Sequence, residues 1–242
     1  MFEHFTKYIQ LLYGLIYLAA SIVLILKARK AVTTPLKDIL WGFAGFTIMK
    51  ALSIFSGLAT VFSPETMPLT NNTLPMETVF FIVLDTLHME ASVISNVFLL
   101  HFGISILSYK TSIRINYKVF AALLVLAFFV LHLTGIIPFD ATEEISRKSF
   151  GFNGALLGCV GCLNLFYIKI QKKPGRKILF AGLAFCSIAL LSFAFAEGII
   201  SEPVFEIPVI QLRLLSAVAI LLSSFFITGL LKEEKGSRIG FV

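Results

Sequence analysis

Long apolar stretches recur along the chain, separated by short polar segments. Each is a continuous run of roughly 20 residues, which matches the hydrocarbon thickness of a bilayer. The runs do not alternate with a period of two, so they indicate transmembrane helices rather than barrel strands. We therefore expect one domain, residues 1–242, that is an all-α integral membrane protein with a seven-transmembrane-helix bundle. The predicted spans lie at about 8–26, 39–62, 78–107, 117–137, 149–170, 178–200 and 208–231.

The composition excludes a soluble globular domain. Residues of the AVILMFWYC set make up 57% of the chain, and charged residues make up only 14%. An ordinary soluble domain has about 25% charged residues, so this chain has too few charges to cover a water-exposed surface. Most of its surface is therefore expected to face lipid.

The distribution of basic residues predicts the orientation of the spans. Of the 20 lysines and arginines, 15 lie in the connections after spans 1, 3, 5 and 7. By the positive-inside rule, the N-terminus is expected outside and the C-terminus in the cytoplasm, with the plasma (inner) membrane as the location. The acidic connection between spans 4 and 5, residues 138–148, is then expected to be an external loop. The formal charge of +6 then reflects loops beside anionic headgroups, and it calls for no nucleic-acid partner.

Apart from Lys118 and Lys169 at the ends of spans, five charged residues fall within the predicted spans: Lys50, Asp85, Glu90, Glu197 and Arg213. A charge at bilayer depth costs about 2.5–3.5 kcal/mol on insertion scales, so each is expected to face the bundle interior and find a partner. Counting residues along the helices places Lys50 and Glu90 about 18 Å below the outer surface, which predicts an ion pair between them. By the same count Arg213 lies near Glu197 and Asp85, and it is expected to pair with one or both.

Other polar residues in the spans also concentrate toward the outer side. In the third span Asp85, His88, Ser92 and Asn96 fall within an arc of roughly 80° around the helix. His132, Asn153 and Gln211 lie at outer levels of spans 4, 5 and 7. Together with the charges they outline a polar pocket that opens outward. The alternative is that the ion pairs only fasten the helices together, with no ligand.

No resident cofactor is expected, although histidines raise two alternatives. A metal could be bound by Asp85, His88 and His132, but no HxxxH or HExxH spacing supports it. A bis-histidine haem would need two of His88, His101 and His132 at matched depth on facing helices, and their predicted depths match poorly.

The cysteines are expected to be packing residues. Cys159 and Cys162 form a CxxC pattern in the middle of span 5, and Cys186 lies at a similar depth in span 6. Gly154, Gly158 and Cys162 recur every four residues, which is the small-xxx-small pattern that lets two helices approach closely.

The sequence favours a seven-helix sensor or receptor-like module whose pocket binds an unknown small ligand from the outer side. In span number, span length and orientation the chain resembles the seven-span input modules of some bacterial sensor kinases, although no diagnostic motif supports this. It carries no hydrolase motif, so an enzyme is not expected. A seven-span microbial rhodopsin needs a lysine in its last span to bind retinal as a Schiff base. The last span here has Arg213 and no lysine, so a retinal photoreceptor is not expected. The expected partners are lipid and either a cytoplasmic signalling protein or a second copy of the chain. The alternatives are a small secondary transporter, or transporter subunit, and a structural subunit of a membrane complex.

Overall fold

A computed structural model of the chain describes residues 2–31, 33–61, 76–109, 117–172, 177–200 and 208–227. These residues are all-helical and contain no strand. The α-helices are α1 (Phe2–Lys30), α2 (Thr34–Val61), α3 (Met76–Ser108), α4 (Tyr117–Leu133), α5 (Phe139–Ser146), α6 (Phe152–Lys172), α7 (Lys177–Phe193) and α8 (Val209–Phe226). A first π-helical segment, Arg147–Gly151, joins α5 to α6, and a second, Ala194–Ile199, extends α7. Many of the basic and acidic residues that were used to predict the orientation lie outside the described residues.

Four of the helical stretches are long and apolar enough to cross a membrane. They are Thr6–Lys30, Thr34–Thr60, Val79–Ser108 and Ala141–Gln171, and two shorter apolar helices follow at Ala181–Glu197 and Val209–Phe225. On α1, large apolar side chains such as Leu15, Ile22 and Leu26 are exposed along the helix. Length, composition and these exposed side chains are compatible with an α-helical membrane protein.

The helices from α1 to α8 pack mostly in chain order. Among the described residues α1, α2, α3, α6, α7 and α8 form a ring in which each helix contacts the next and α8 returns to α1. Helix α4 lies outside this ring and packs against α3. Its Phe128 also packs edge-on against Phe150 of the first π segment, with ring centroids 5.3 Å apart.

The segment between α4 and α6 differs from the sequence-based expectation. Residues 138–148 were predicted to form an acidic external loop, but α5 and the first π segment make this stretch helical up to α6. Pro138 precedes α5 and suits a helix start, because it has no N–H to leave unpaired. Because acidic residues are common both at helix starts and in polar loops, an acidic composition does not distinguish the two for this stretch.

Helices α3 and α6 approach at backbone contact distance. A Cβ atom placed on Gly103 would lie 2.3 Å from the carbonyl oxygen of Gly154, and one on Gly154 would lie 2.5 Å from the amide nitrogen of Leu100. Gly158 faces the ring of Phe102 in the same way. The predicted close approach is therefore confirmed for Gly154 and Gly158, which pack against α3, whereas Cys162 contacts Cys186 of α7.

The three cysteines are all buried and free. Cys159 Sγ lies 3.1 Å from Ser187 Oγ, which joins α6 to α7. Cys162 and Cys186 have no exposed surface. These positions confirm the interpretation of the cysteines as packing residues.

An aromatic layer fills the centre of the bundle. The rings of Tyr17 and Phe193 both pack edge-on against Phe46, at centroid distances of 5.8 and 5.1 Å. Phe43 stacks on Phe102 at 4.5 Å and also contacts Phe46. All five side chains are fully buried. We call Tyr17, Phe43, Phe46, Phe102 and Phe193 the aromatic layer.

Candidate functional site

A polar cavity of about 440 Å³ lies at one end of the bundle. It is found where α1, α3 and α8 begin and where α2 and the second π segment end. Its lining includes Gln10, Tyr13, Lys50, Ser53, Gly57, Asp85, His88, Glu143, Arg147, Glu197 and Arg213. Because these residues come from α1, α2, α3, α5, α8 and both π segments, the cavity shape depends on how most of the bundle is arranged.

Glu197 is the centre of the buried charges in this cavity. Its side chain is 2% exposed, and Lys50 Nζ lies 3.1 Å from its Oε2 atom. The Nε atom of Arg213 lies 3.9 Å from the same oxygen, and the hydroxyl of Tyr13 donates a hydrogen bond to Oε1. One buried carboxylate thus holds together side chains from α1, α2 and α8.

A second polar cluster surrounds His88. Its Nδ1 atom lies 2.7 Å from the carbonyl oxygen of Ser53 on α2, and its Nε2 atom lies 3.7 Å from a carboxylate oxygen of Glu143 on α5. Ser92 donates a hydrogen bond of 3.2 Å to the other oxygen of Glu143. The ring rests on Gly57, where a Cβ atom would lie 2.8 Å from Nδ1. A glycine at this position is therefore what leaves room for the imidazole.

The aromatic layer lies close to the cavity along three helices. Three cavity residues each lie one helical turn from a member of that layer. The pairs are Tyr13 with Tyr17, Lys50 with Phe46, and Glu197 with Phe193. Tyr13 and Tyr17 are in direct edge-on contact, with centroids 5.2 Å apart. On these three helices the buried aromatic layer therefore lies one turn beyond the charged lining.

The expected pairing of Lys50 with Glu90 is wrong, because Glu197 holds Lys50 instead. Matched depth was the reason for the prediction, but depth does not specify the face of a helix. His88 of α3 faces α2 at Ser53 and Gly57. Glu90 follows two residues later, about 200° further around the helix, and so points away from α2. The expected pairing of Arg213 with Glu197 is confirmed.

The remaining predicted residues divide into two groups. Asp85 lines the cavity but is itself exposed, and Ser92 reaches the cavity through its bond to Glu143. Asn96 lies outside the lining, where its amide donates a 3.0 Å hydrogen bond to Ser146 Oγ.

The three polar residues predicted on spans 4, 5 and 7 do not line the cavity. His132 Nδ1 lies 3.1 Å from Thr142 Oγ1 at the end of α4. Asn153 is exposed and donates to the carbonyl oxygen of Ser149. Gln211 lines a separate apolar groove between α1 and α8. Counting residues along each span predicted how deep these side chains lie, but it could not predict which side of the helix they occupy.

The metal and haem alternatives find no support in the geometry. Among the described residues no three histidine, cysteine or acidic side chains gather where they could hold a metal ion, so Asp85, His88 and His132 do not form a site. His88 and His101 lie thirteen residues apart on α3, which separates them by about 20 Å and keeps them from binding one haem iron.

Several cavity residues were not predicted from the sequence. Tyr13 was counted among the apolar residues of span 1, and Glu143 and Arg147 were assigned to an external loop. The i, i+4 spacing of Glu143 and Arg147 places both on one helix face, and it is the signal that could have indicated their shared site.

No protein-family model matches the chain, and none of the curated proteins or solved structures compared with it matches either.

Proposed function

We propose that this protein is a seven-helix membrane sensor that binds a small polar solute in the charged cavity. In this proposal the N-terminus lies outside and the C-terminus in the cytoplasm. The spans are α1, α2, α3, α4, α6, α7 with its π extension, and α8. The charged end of the bundle then faces outward, because α1, α3 and α8 begin there.

The observation that carries the proposal is the composition of the cavity wall. Lys50, Glu197 and Arg213 come from three separate elements and meet around one carboxylate. A solute that competes for these charges changes the contacts between α2, the second π segment and α8. Such a solute shifts the helix arrangement only if it binds one arrangement more tightly than another.

The aromatic layer favours a sensor over the transporter alternative. Its five rings are fully buried and lie deeper in the bundle than the cavity lining, which contains none of them. A solute would have to displace them to continue toward the other side. A binding site with a closed floor is what a receptor needs, whereas a carrier must also open an inner path.

Binding and flux distinguish these functions. The full chain in lipid nanodiscs would be tested for thermal stabilisation by succinate, glutamate, putrescine and glucose, and proteoliposomes would be tested for uptake of any stabilising solute. We expect stabilisation without uptake. Uptake above that of protein-free vesicles would indicate transport, and no stabilisation by any of the four would count against a sensor.

A cavity-filling variant provides the specificity control. Gly57→Leu places a side chain where the His88 ring lies, so it is expected to abolish the stabilisation. Val160→Leu enlarges an exposed side chain on α6, away from the cavity lining, and is expected to leave the stabilisation unchanged.

A further inference from the structure

The acids of the cavity lining are Asp85, Glu143 and Glu197, and they leave two guanidinium Nε atoms without a hydrogen bond among the described residues. Lys50, Arg147 and Arg213 also line the cavity. The Oε2 atom of Glu197 accepts from Lys50 at 3.1 Å, whereas Arg213 Nε at 3.9 Å is too far for a hydrogen bond. Glu143 is engaged by Ser92 and His88 on α3.

Two guanidinium nitrogens are left without an acceptor. The Nε atoms of Arg147 and Arg213 are both buried and have no hydrogen-bond partner among the described residues. Buried N–H groups are nearly always bonded in folded proteins, and an unsatisfied one marks a place where an ion, water or ligand completes the structure. Two such donors on the wall of one cavity therefore indicate a missing acceptor.

The chemistry of the donors specifies that acceptor. Guanidinium groups form short, strong hydrogen bonds with carboxylate, phosphate and similar oxyanions, often through two parallel N–H bonds. The elements that carry the arginines also meet near Glu197, because the second π segment contacts both the first π segment and α8. Single π turns within α-helices occur frequently at functional sites.

We infer that the cavity binds the oxyanion group of a small solute through Arg147 and Arg213. This inference rests on the proposed function and narrows its ligand to a class. A carboxylic acid and an inorganic phosphate or sulfate share the recognising chemistry, and the probes below separate them.

The test measures affinity by thermal stabilisation of the full chain in nanodiscs at constant ionic strength. The oxyanion probes are acetate, succinate, phosphate and sulfate. Acetamide, ethylammonium and glucose are the neutral and cationic probes of similar size. We expect at least one oxyanion to bind. The neutral and cationic probes should bind about tenfold or more weakly than that oxyanion, because they cannot accept a charge-assisted hydrogen bond from the arginines.

Variants assign the binding to the arginines. Arg147→Gln and Arg213→Lys should each weaken oxyanion binding by about tenfold to a hundredfold. Arg213→Lys keeps a cation beside Glu197, so its loss of binding cannot come from an unpaired carboxylate. Lys148→Gln removes one positive charge next to Arg147 from an exposed side chain that pairs with Glu144, and it should bind like the parent chain.

The outcomes separate this inference from the proposed function. Binding by a neutral or cationic probe alone would overturn the oxyanion site and leave the sensor intact. Equal oxyanion affinity in the parent chain and both arginine variants would also overturn the site. If no probe binds, both proposals are overturned. Preference for acetate and succinate over phosphate and sulfate would identify the solute as an organic acid.

Discussion

The Lys50–Glu197 contact predicts an asymmetry between two single substitutions. Glu197 is the acceptor for Lys50 among the described residues, so Glu197→Gln leaves a lysine that is 7% exposed without a carboxylate. Lys50→Met instead leaves Glu197 with Arg213 at 3.9 Å and with the hydrogen bond from Tyr13. Both changes break the same ion pair, but Glu197→Gln leaves its partner charge unpaired, whereas Lys50→Met leaves a carboxylate that keeps two other partners.

The magnitudes follow from the cost of an unpaired buried charge. Removing one partner of a buried pair costs about 3–5 kcal/mol, so we expect Glu197→Gln to lower the free energy of unfolding by that amount. Lys50→Met should cost roughly half as much, because its carboxylate keeps two partners. The double variant should be more stable than Glu197→Gln alone, since replacing a whole buried pair is often close to neutral.

Equilibrium unfolding of the four proteins in the same lipid or detergent provides the measurement. A double-mutant cycle should give a coupling energy of at least about 1 kcal/mol. Lys148→Gln is the control, because its pair with Glu144 is exposed and its loss should leave stability unchanged. Equal costs for the two single variants with additive effects in the double variant would refute the buried pair.

Three further predictions concern packing and the opposite end of the bundle. Gly154→Ala should destabilise the fold by about 1–3 kcal/mol in the same unfolding assay, because its Cβ would push against the backbone of α3. The control Val160→Leu adds one carbon on the exposed face of α6 and should leave stability unchanged. Equal effects of the two substitutions would refute the close contact. Lys27 donates hydrogen bonds to the carbonyl oxygens of Ser224 and Phe225 near the end of α8. Lys27→Gln should therefore lower the free energy of unfolding by about 1 kcal/mol. An equal effect of Lys30→Gln, which changes an exposed lysine, would show that this contact does not stabilise the bundle. The three native cysteines should react with maleimide only after unfolding, unlike an introduced Lys148→Cys; fast labelling of the folded protein would contradict their burial.

The fold was predictable where hydrophobicity alone specified it. Continuous apolar runs predicted helices close to their observed positions, and the glycine spacing in α6 predicted a close helix contact that α3 provides. Residues 138–148 were misassigned because acidic residues near a helix start look like a polar loop. The number of membrane crossings and their orientation stay predictions, and they belong to the proposed function.

The charged residues of the candidate site were predictable from the sequence, but only one of the two expected ion pairs was correct. Lys50, Glu197 and Arg213 were recognised because charges are costly among apolar helices. Counting residues gives depth, whereas the partner depends on the rotation of each helix and on which helices are neighbours. In the ring α7 lies between α6 and α8, so Glu197 reaches Lys50 of α2 across the interior of the bundle and not from a neighbouring helix. Tyr13 could not be recognised because its role depends on the same arrangement.

A charged cavity that faces outward should be accessible to reagents added outside the cell. In a cysteine-free background, Asp85→Cys would place a thiol at an exposed position on the cavity lining, and Lys30→Cys would place one at the opposite end of α1. Intact cells expressing each variant would be treated with a membrane-impermeant maleimide. We expect labelling at position 85 in intact cells and labelling at position 30 only after permeabilisation. The reverse pattern, or no labelling at position 85 until the membrane is opened, would contradict a charged cavity that faces outward.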